Sequence, residues 1–153
     1  MAEEWGKTVA RKVEARVAEE AERIATRRKR FEDGIERFRR QILDLVASVN
    51  AHIESEPHRI QVIVLDNGLI LAAAYKRLVT AEELGAFEGV PASVGRITLL
   101  REDRKAAAPT EPEEVFITSS GTQTTFYRRS AGQTQIKIMG DPDFKQIVEF
   151  FAS

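Results

Sequence analysis

The chain contains no cysteine in 153 residues, which excludes disulfides, thiolate metal ligands and cysteine nucleophiles. It also lacks a charge excess of either sign, since the net charge of −1 gives no overall attraction to nucleic acid, membrane surfaces or acidic substrates. The longest strictly apolar run, residues 69–75, is far too short to cross a bilayer. The first residues lack the apolar core of a signal peptide. We therefore expect a cytoplasmic protein without membrane partners.

Proline is missing throughout residues 2–56, where alanine, glutamate and arginine predominate. These residues are strong helix formers. Apolar residues recur there at alternating steps of four and three, with one place taken by Arg28: Val17, Ala21, Ile24, Phe31, Ile35, Phe38, Ile42, Leu45 and Val49. This heptad seam is typical of coiled coils. The predicted helix would be about 80 Å long, far longer than the roughly 30 Å width of a small domain, so its own sheet cannot cover most of it.

The width of the apolar stripe predicts where the helix changes partner. The stripe is narrow from Val17 to Phe38 and broadens from Ile42 to Ile53, and a broad stripe suits packing on a sheet. We therefore expect the last third to dock on the chain's own sheet and the rest to pair with another helix, most simply in a homodimer. The expected interface residues are Val17, Ile24, Phe31, Ile35, Phe38 and Ile42. Asp33-Gly34 is a candidate hinge or hairpin, but the seam keeps its phase across it, which favours one helix.

After Pro57 the hydrophobic period changes from helical to two, which predicts strands. The predicted strands are 59–65, 69–79, 97–101, 115–120, 124–129 and 134–139. Asn67-Gly68 predicts the first hairpin turn, and both faces of that hairpin are apolar, which predicts a central position in the sheet. Thr80 and Glu83 resemble a capping box for a short helix over 81–86. The segment 105–114 is expected to be a mobile loop because of its two prolines.

Asp141-Pro142 predicts the start of a final helix. The predicted fold class is therefore α+β: a long, coiled-coil-like N-terminal helix, an antiparallel meander of five or six strands, and a short C-terminal helix. We divide the chain into an oligomerisation segment, residues 1–56, and a sheet domain, residues 57–153.

A basic stretch within residues 23–40 is the first candidate binding site. It carries eight basic residues against three acidic ones, and such a patch can bind phosphates. The candidate contact residues are Arg27, Arg28, Lys29, Arg30, Arg39 and Arg40. The same stretch could instead face the acidic stretch 14–22 of an antiparallel partner helix, or solvent.

The segment 52–58 holds both histidines, His52 and His58, with two glutamates between them. A zinc site needs a third ligand, and neither another histidine nor any cysteine exists, so we interpret the segment as a polar helix end. Residues 126–129 combine two aromatics with two arginines, and strand alternation places one aromatic and one arginine on each face. Residues 118–125 form a hydroxyl-rich hairpin tip, for which solvent exposure at a turn is the simpler explanation.

The sequence offers little for catalysis, because it lacks nucleophile motifs and glycine-rich phosphate loops. We expect neither a cofactor nor a metal. The leading hypothesis is a non-enzymatic, self-associating protein that pairs through its helix and presents a small β domain. The alternative is a nucleic-acid-binding module that uses the basic stretch. A third is an enzyme or small-ligand binder with a pocket between sheet and helices.

Overall fold

The computed structural model describes residues 1–106 and 110–152. In this part of the chain, helix α1 (Ala2–Asn50) is followed by seven antiparallel strands and helix α2 (Asp141–Glu149). The strands are β1 (Gln61–Leu65), β2 (Gly68–Ala73), β3 (Lys76–Leu84), β4 (Ser93–Asp103), β5 (Glu113–Ser120), β6 (Gln123–Arg129) and β7 (Lys137–Ile138). They lie in the sheet in sequence order. The predicted α+β meander is confirmed, with more strands than expected.

Helix α1 runs without interruption through Asp33 and Gly34, as the phase of the seam favoured. Gly34 is explained by packing, because a Cβ atom there would lie 2.5 Å from Cγ2 of Ile117 on β5. The ring of Phe31 likewise occupies the space that a Cβ atom at Gly95 of β4 would need. These two glycines let the helix lie directly against the middle of the sheet.

The core lies between one face of the sheet, the second half of α1, and α2. Phe38 and Phe126 have ring centroids 6.0 Å apart, and Phe144 of α2 lies 5.7 Å from Phe38. Ile35 and Ile42 are also buried in this cluster. Three expected interface residues, Ile35, Phe38 and Ile42, are therefore covered by the chain's own sheet and α2. The expectation that another helix covers them is wrong, because docking on the sheet begins near Phe31 rather than near Ile42.

The second predicted strand, 69–79, is two strands joined by a turn at Ala74 and Tyr75. Ala74 has a φ of 51°, a conformation that alanine rarely adopts, so composition gave no sign of the turn. Thr80 and Glu83 lie within β3 and do not cap a helix. The Thr80 hydroxyl instead accepts a hydrogen bond from the Leu69 amide at 2.8 Å.

The first hairpin lies at the edge of the sheet, which corrects the predicted central position. Its turn residues are Asp66 and Asn67, one position earlier than predicted. Gly68 opens β2, where a Cβ atom would collide with the carbonyl oxygen of Thr80. Elsewhere the boundaries shift: β5 begins within the expected loop 105–114, of which residues 107–109 lie outside the described residues, and β7 is shorter than predicted.

The start of α2 at Asp141 is confirmed. The Asp143 carboxylate accepts a hydrogen bond from the Gly140 amide at 2.9 Å, which ties the helix start to the preceding turn. This hydrogen bond is the main reason that the pKa of Asp143 lies below its usual value; burial opposes it and Arg128 adds to it. Among the described residues, no helix is both long and apolar enough to span a membrane.

Candidate interaction surfaces

The first half of α1 makes little contact with the rest of the described chain, since every residue from Met1 to Lys29 is exposed. Large apolar side chains are exposed to solvent there, among them Trp5 at 71% and Val17 at 60% exposure. We call the exposed apolar set of this segment the amino-terminal stripe: Trp5, Val9, Val13, Val17 and Ile24. Isolated helices are marginal in water, because most helical stability in proteins comes from packing an apolar face.

Two members of the amino-terminal stripe, Val17 and Ile24, continue the face that packs on the sheet. Four apolar residues spaced seven apart lie on nearly the same side of the helix: Val17, Ile24, Phe31 and Phe38. Phe38 is buried, Phe31 is half-buried at the margin of the core, and Val17 and Ile24 are exposed. The same apolar face is therefore covered in one half of the helix and open in the other. Of the six expected interface residues, Val17 and Ile24 remain fully available.

Charge along the exposed half of α1 is unevenly distributed. Residues 1–22 carry six acidic and four basic side chains, whereas residues 23–30 carry five basic side chains and no acidic one. The Arg23–Glu19 pair is 3.9 Å apart and both side chains are largely exposed, so it contributes little. The helix therefore presents an acidic amino-terminal part and a strongly basic part next to the sheet.

The basic stretch is shorter in the structure than the sequence predicted. Arg39 lies on the sheet side of α1, where its Nε is 2.8 Å from the Glu82 carboxylate and its Nη2 donates to the Leu65 carbonyl at 2.9 Å. Arg40 pairs with Glu36 along the helix at 2.6 Å. Arg39 is therefore occupied in holding α1 to β3 and is removed from the candidate contacts. The exposed members are Arg27, Arg28, Lys29 and the Glu36-paired Arg40, and Arg30 is half-buried.

The basic stretch and the hydroxyl-rich hairpin tip, two separate features of the sequence, are brought together where α1 leaves the sheet. An open cleft of about 520 Å³ lies between them, lined by Lys29 and Arg30 on one side and by Thr122 and Thr124 on the other. Glu22 and Asp33 also line this cleft and offset the charge of its two basic side chains. The cleft therefore offers cationic and hydroxyl donors from opposite walls, with two carboxylates beside them.

A second apolar surface lies on the sheet face that is turned away from α1. The register aligns one aliphatic side chain from each of the first four strands: Ile63, Ile70, Val79 and Leu100. We call this set the outer row. Its two ends are exposed, Ile63 at 54% and Leu100 at 37%. Sequence reasoning misses this surface, because the apolar residues on both faces of the first hairpin predict a central position in the sheet.

Beside the outer row, the same face carries a ladder of alternating charges across four strands. Arg96 lies between Glu83 and Glu114, at 2.5 and 2.9 Å, and Glu114 lies 2.5 Å from Arg129. The hydrogen bond to Glu83 is the largest reason that the pKa of Arg96 is raised. Burial alone would raise the pKa of Glu114, but hydrogen bonds from Arg129 and Arg96 outweigh it and the pKa is lowered. These pairs hold neighbouring strands in register.

Alternation in β6 places Phe126 with Arg128 on one face and Tyr127 with Arg129 on the other, as predicted. Phe126 is buried against Phe144, with ring centroids 5.6 Å apart, while Tyr127 occupies the other face. Arg128 is directed into the helix side, where its Nη2 lies 2.6 Å from the buried Glu113 carboxylate. Arg128 is therefore occupied in an internal ion pair and is not available to bind a nucleic-acid backbone.

The segment 52–58 forms the connection between α1 and β1, with a short 3₁₀ turn at Glu56–His58. His58 Nδ1 lies 3.0 Å from the Ser55 hydroxyl. Within residues 1–106 and 110–152, no group of three potential ligands is arranged to hold a metal ion. His58 does border a mainly apolar cleft of about 500 Å³ between the end of α1 and α2, which is also lined by Leu45, Val148 and Phe151.

Comparison of the chain with protein-family models, with curated protein sequences and with solved structures found no match.

Proposed function

We propose that this protein is a self-associating scaffold, in which the exposed half of α1 pairs with the same segment of a second copy. The observation that carries the proposal is the amino-terminal stripe: large apolar side chains, including Trp5, on a helix whose residues 1–29 are all exposed. An unpaired helix is only marginally stable in water, whereas a second helix would bury its apolar stripe and stabilise it. The sheet domain would then be carried at the end of the paired helices.

Charge distribution favours an antiparallel pair of identical helices. In that orientation the acidic part of one helix, residues 1–22, lies beside the basic residues 23–30 of the other, and the same complementarity occurs twice by symmetry. A parallel pair would instead place the five basic side chains of residues 23–30 opposite their own copies. Charges that flank a helix seam set partner choice and orientation, so the antiparallel pair is favoured.

The test is sedimentation of Val17→Glu/Ile24→Glu beside the unaltered protein at the same micromolar concentration. The matched control is Thr8→Glu/Ala15→Glu, which adds the same charge at exposed positions about 160–180° around the helix axis from Val17 and Ile24. We expect the stripe variant to lose the helix-mediated association and the control to keep it. The comparison is repeated over a dilution series, and a stripe variant whose dissociation constant equals that of the unaltered protein would overturn the proposal.

The second candidate function is binding of a phosphate-bearing polymer in the cleft between Lys29, Arg30 and the hydroxyl-rich hairpin tip. The specific observation in its favour is that this cleft joins the two features from opposite sides. Affinity for single-stranded oligonucleotides should then fall steeply with salt, and Lys29→Gln/Arg30→Gln should weaken binding and flatten that salt dependence. Binding without a steep salt dependence, or an unaffected double variant, would reject this candidate.

A further inference from the structure

The outer edge of β1 has open backbone groups at two residues. Leu65 and Gly68 close the two-residue turn at Asp66 and Asn67, so they form a hydrogen-bonded pair. Such pairs alternate along an antiparallel ladder. The backbone groups of Gln61, Ile63 and Leu65 therefore point to β2, and those of Val62 and Val64 point outward. No strand in the described part of the chain lies beyond this edge.

Asn50 sets the length of the open edge. The next outward-facing residue, Ile60, is already occupied: its amide donates to Asn50 Oδ1 at 2.8 Å and its carbonyl accepts from Asn50 Nδ2 at 2.8 Å. The side-chain amide thus takes the place of a neighbouring strand at this one residue. Any strand that pairs with β1 must use Val62 and Val64.

Edge β1 also lacks the usual protection of an exposed strand. Its five residues, QVIVL, include neither a charge nor a proline, and their register with β2 is continuous. Ile63 and Val64 are 54% and 59% exposed. The opposite edge, β7, is only two residues long and contains Lys137. Proteins usually shorten or charge an open edge because it templates pairing with another chain, so the unprotected β1 indicates a partner strand.

We propose that two copies of this chain join their β1 edges in an antiparallel pair, with a two-fold axis at Ile63. Val62 of each copy then forms a hydrogen-bonded pair with Val64 of the other, which uses every open group of the edge. Ile63 meets its own copy on the outer face, so the outer rows of the two sheets become continuous. The same two-fold places Arg59, at the start of one strand, near Asp66, at the end of the other, which adds charge complementarity.

A second copy fits this edge better than an unrelated peptide, because the open segment is short and self-complementary. An isologous contact uses the same two residues twice, and it covers the apolar side chains on both faces of β1. This interface is separate from the helix pairing proposed above and does not depend on it. A chain with both would have two isologous contacts.

The experiment uses full-length protein carrying Val17→Glu/Ile24→Glu, so that the helix stripe cannot contribute to association. In this background we compare Ile63→Lys, Ile63→Asp and an equal mixture of the two by sedimentation, with circular dichroism to confirm the fold. We expect the background protein to be a dimer, each single Ile63 variant to be a monomer, and the mixture to recover the dimer. Recovery follows only if position 63 meets position 63, since opposite charges then face each other across the axis.

Two further variants complete the design. Leu100→Lys alters an exposed residue at the far end of the same outer row and should leave the dimer intact. Val64→Pro removes an outward amide without breaking the β1–β2 ladder and should abolish the dimer. A monomeric background protein, a dimeric Ile63→Lys variant, or a mixture that stays monomeric would each overturn the proposal. The helix proposal has its own separate readout, the difference between the stripe variant and the unaltered protein.

Discussion

Gly34 provides the sharpest test of how closely α1 lies on the sheet. In an unobstructed helix interior, replacing glycine with alanine stabilises by about 1 kcal/mol. At Gly34 the added methyl group would lie 2.5 Å from Cγ2 of Ile117. Ordinary carbon–carbon contacts are about 3.5–4.0 Å, and overpacking of this kind costs about 1–3 kcal/mol. We therefore expect Gly34→Ala to be neutral or to lower the free energy of unfolding by up to about 2 kcal/mol.

A double-mutant cycle with Ile117→Ala isolates this contact. The single Ile117→Ala change should cost about 2–5 kcal/mol, as for other buried aliphatic residues. In that background the methyl group of Gly34→Ala has room, so the same substitution should become stabilising. The expected coupling between the two positions is about 1–3 kcal/mol. Urea unfolding followed by circular dichroism measures all four proteins, at one protein concentration because association would shift the midpoints.

Gly6→Ala is the matched control, because a Cβ atom there would have no described neighbour within 4 Å. It should not destabilise the protein. If Gly34→Ala in the unaltered background raised the free energy of unfolding by the full helix-propensity gain, the close approach of α1 to β5 would be refuted. A cycle without coupling would lead to the same conclusion.

Three further predictions follow from hydrogen bonds and ion pairs of the sheet. The arginine partners of Glu114 lower its pKa, so the ionised carboxylate stabilises the fold fully above about pH 4.5 and this stabilisation is lost on further acidification. The urea midpoint of Glu114→Gln should therefore fall less steeply below pH 4.5 than that of the unaltered protein. Asn50→Ala leaves both outward groups of Ile60 without their partner and should lower the free energy of unfolding by about 1–3 kcal/mol. Thr80→Val removes the acceptor of the buried Leu69 amide and should accelerate hydrogen exchange at that amide, whereas Thr80→Ser should not.

The helices could be predicted because their signals are local. A long stretch without proline, a continuous seam and an Asp-Pro start are sufficient to identify α1 and α2. The faces of β6 could also be predicted, since alternation alone separates Phe126 from Tyr127. These features depend only on residues that are neighbours along the chain.

The point at which α1 leaves the sheet could not be predicted, because a seam that packs on a sheet and a seam that packs on a helix have the same spacing. Phe31 and Ile24 differ by one heptad, yet one contacts Gly95 and the other is exposed. The relevant sequence signals are the glycines at 34 and 95, far apart in the chain. That Gly34 and Gly95 allow close packing can be recognised only when the positions of α1 and the sheet are known.

Strand order decides which apolar surfaces need a partner, and strand order is not encoded locally. β1 and β2 have the composition of buried strands, but the meander begins with β1 and leaves it at an edge. An apolar strand at an edge has the same pattern as one in the middle. The candidate surface around Ile63 could therefore be recognised only from the strand order. The helix stripe could be recognised from the sequence, because the predicted helix is longer than a small domain is wide.

Two isologous contacts on one chain restrict the assemblies that it can form. If both two-fold axes coincide, the helix pair and the β1 pair join the same two copies into a closed dimer. If the axes intersect at 90°, four copies close into a tetramer, and other simple fractions of 180° close larger rings. Axes that do not intersect give an open chain that lengthens with concentration. The net charge of −1 provides little repulsion against any of these. Because each contact is removed by its own substitution, Val17→Glu/Ile24→Glu or Ile63→Lys, a tetramer or open chain would be reduced to a dimer by either change. A closed dimer would lose only one of its two contacts.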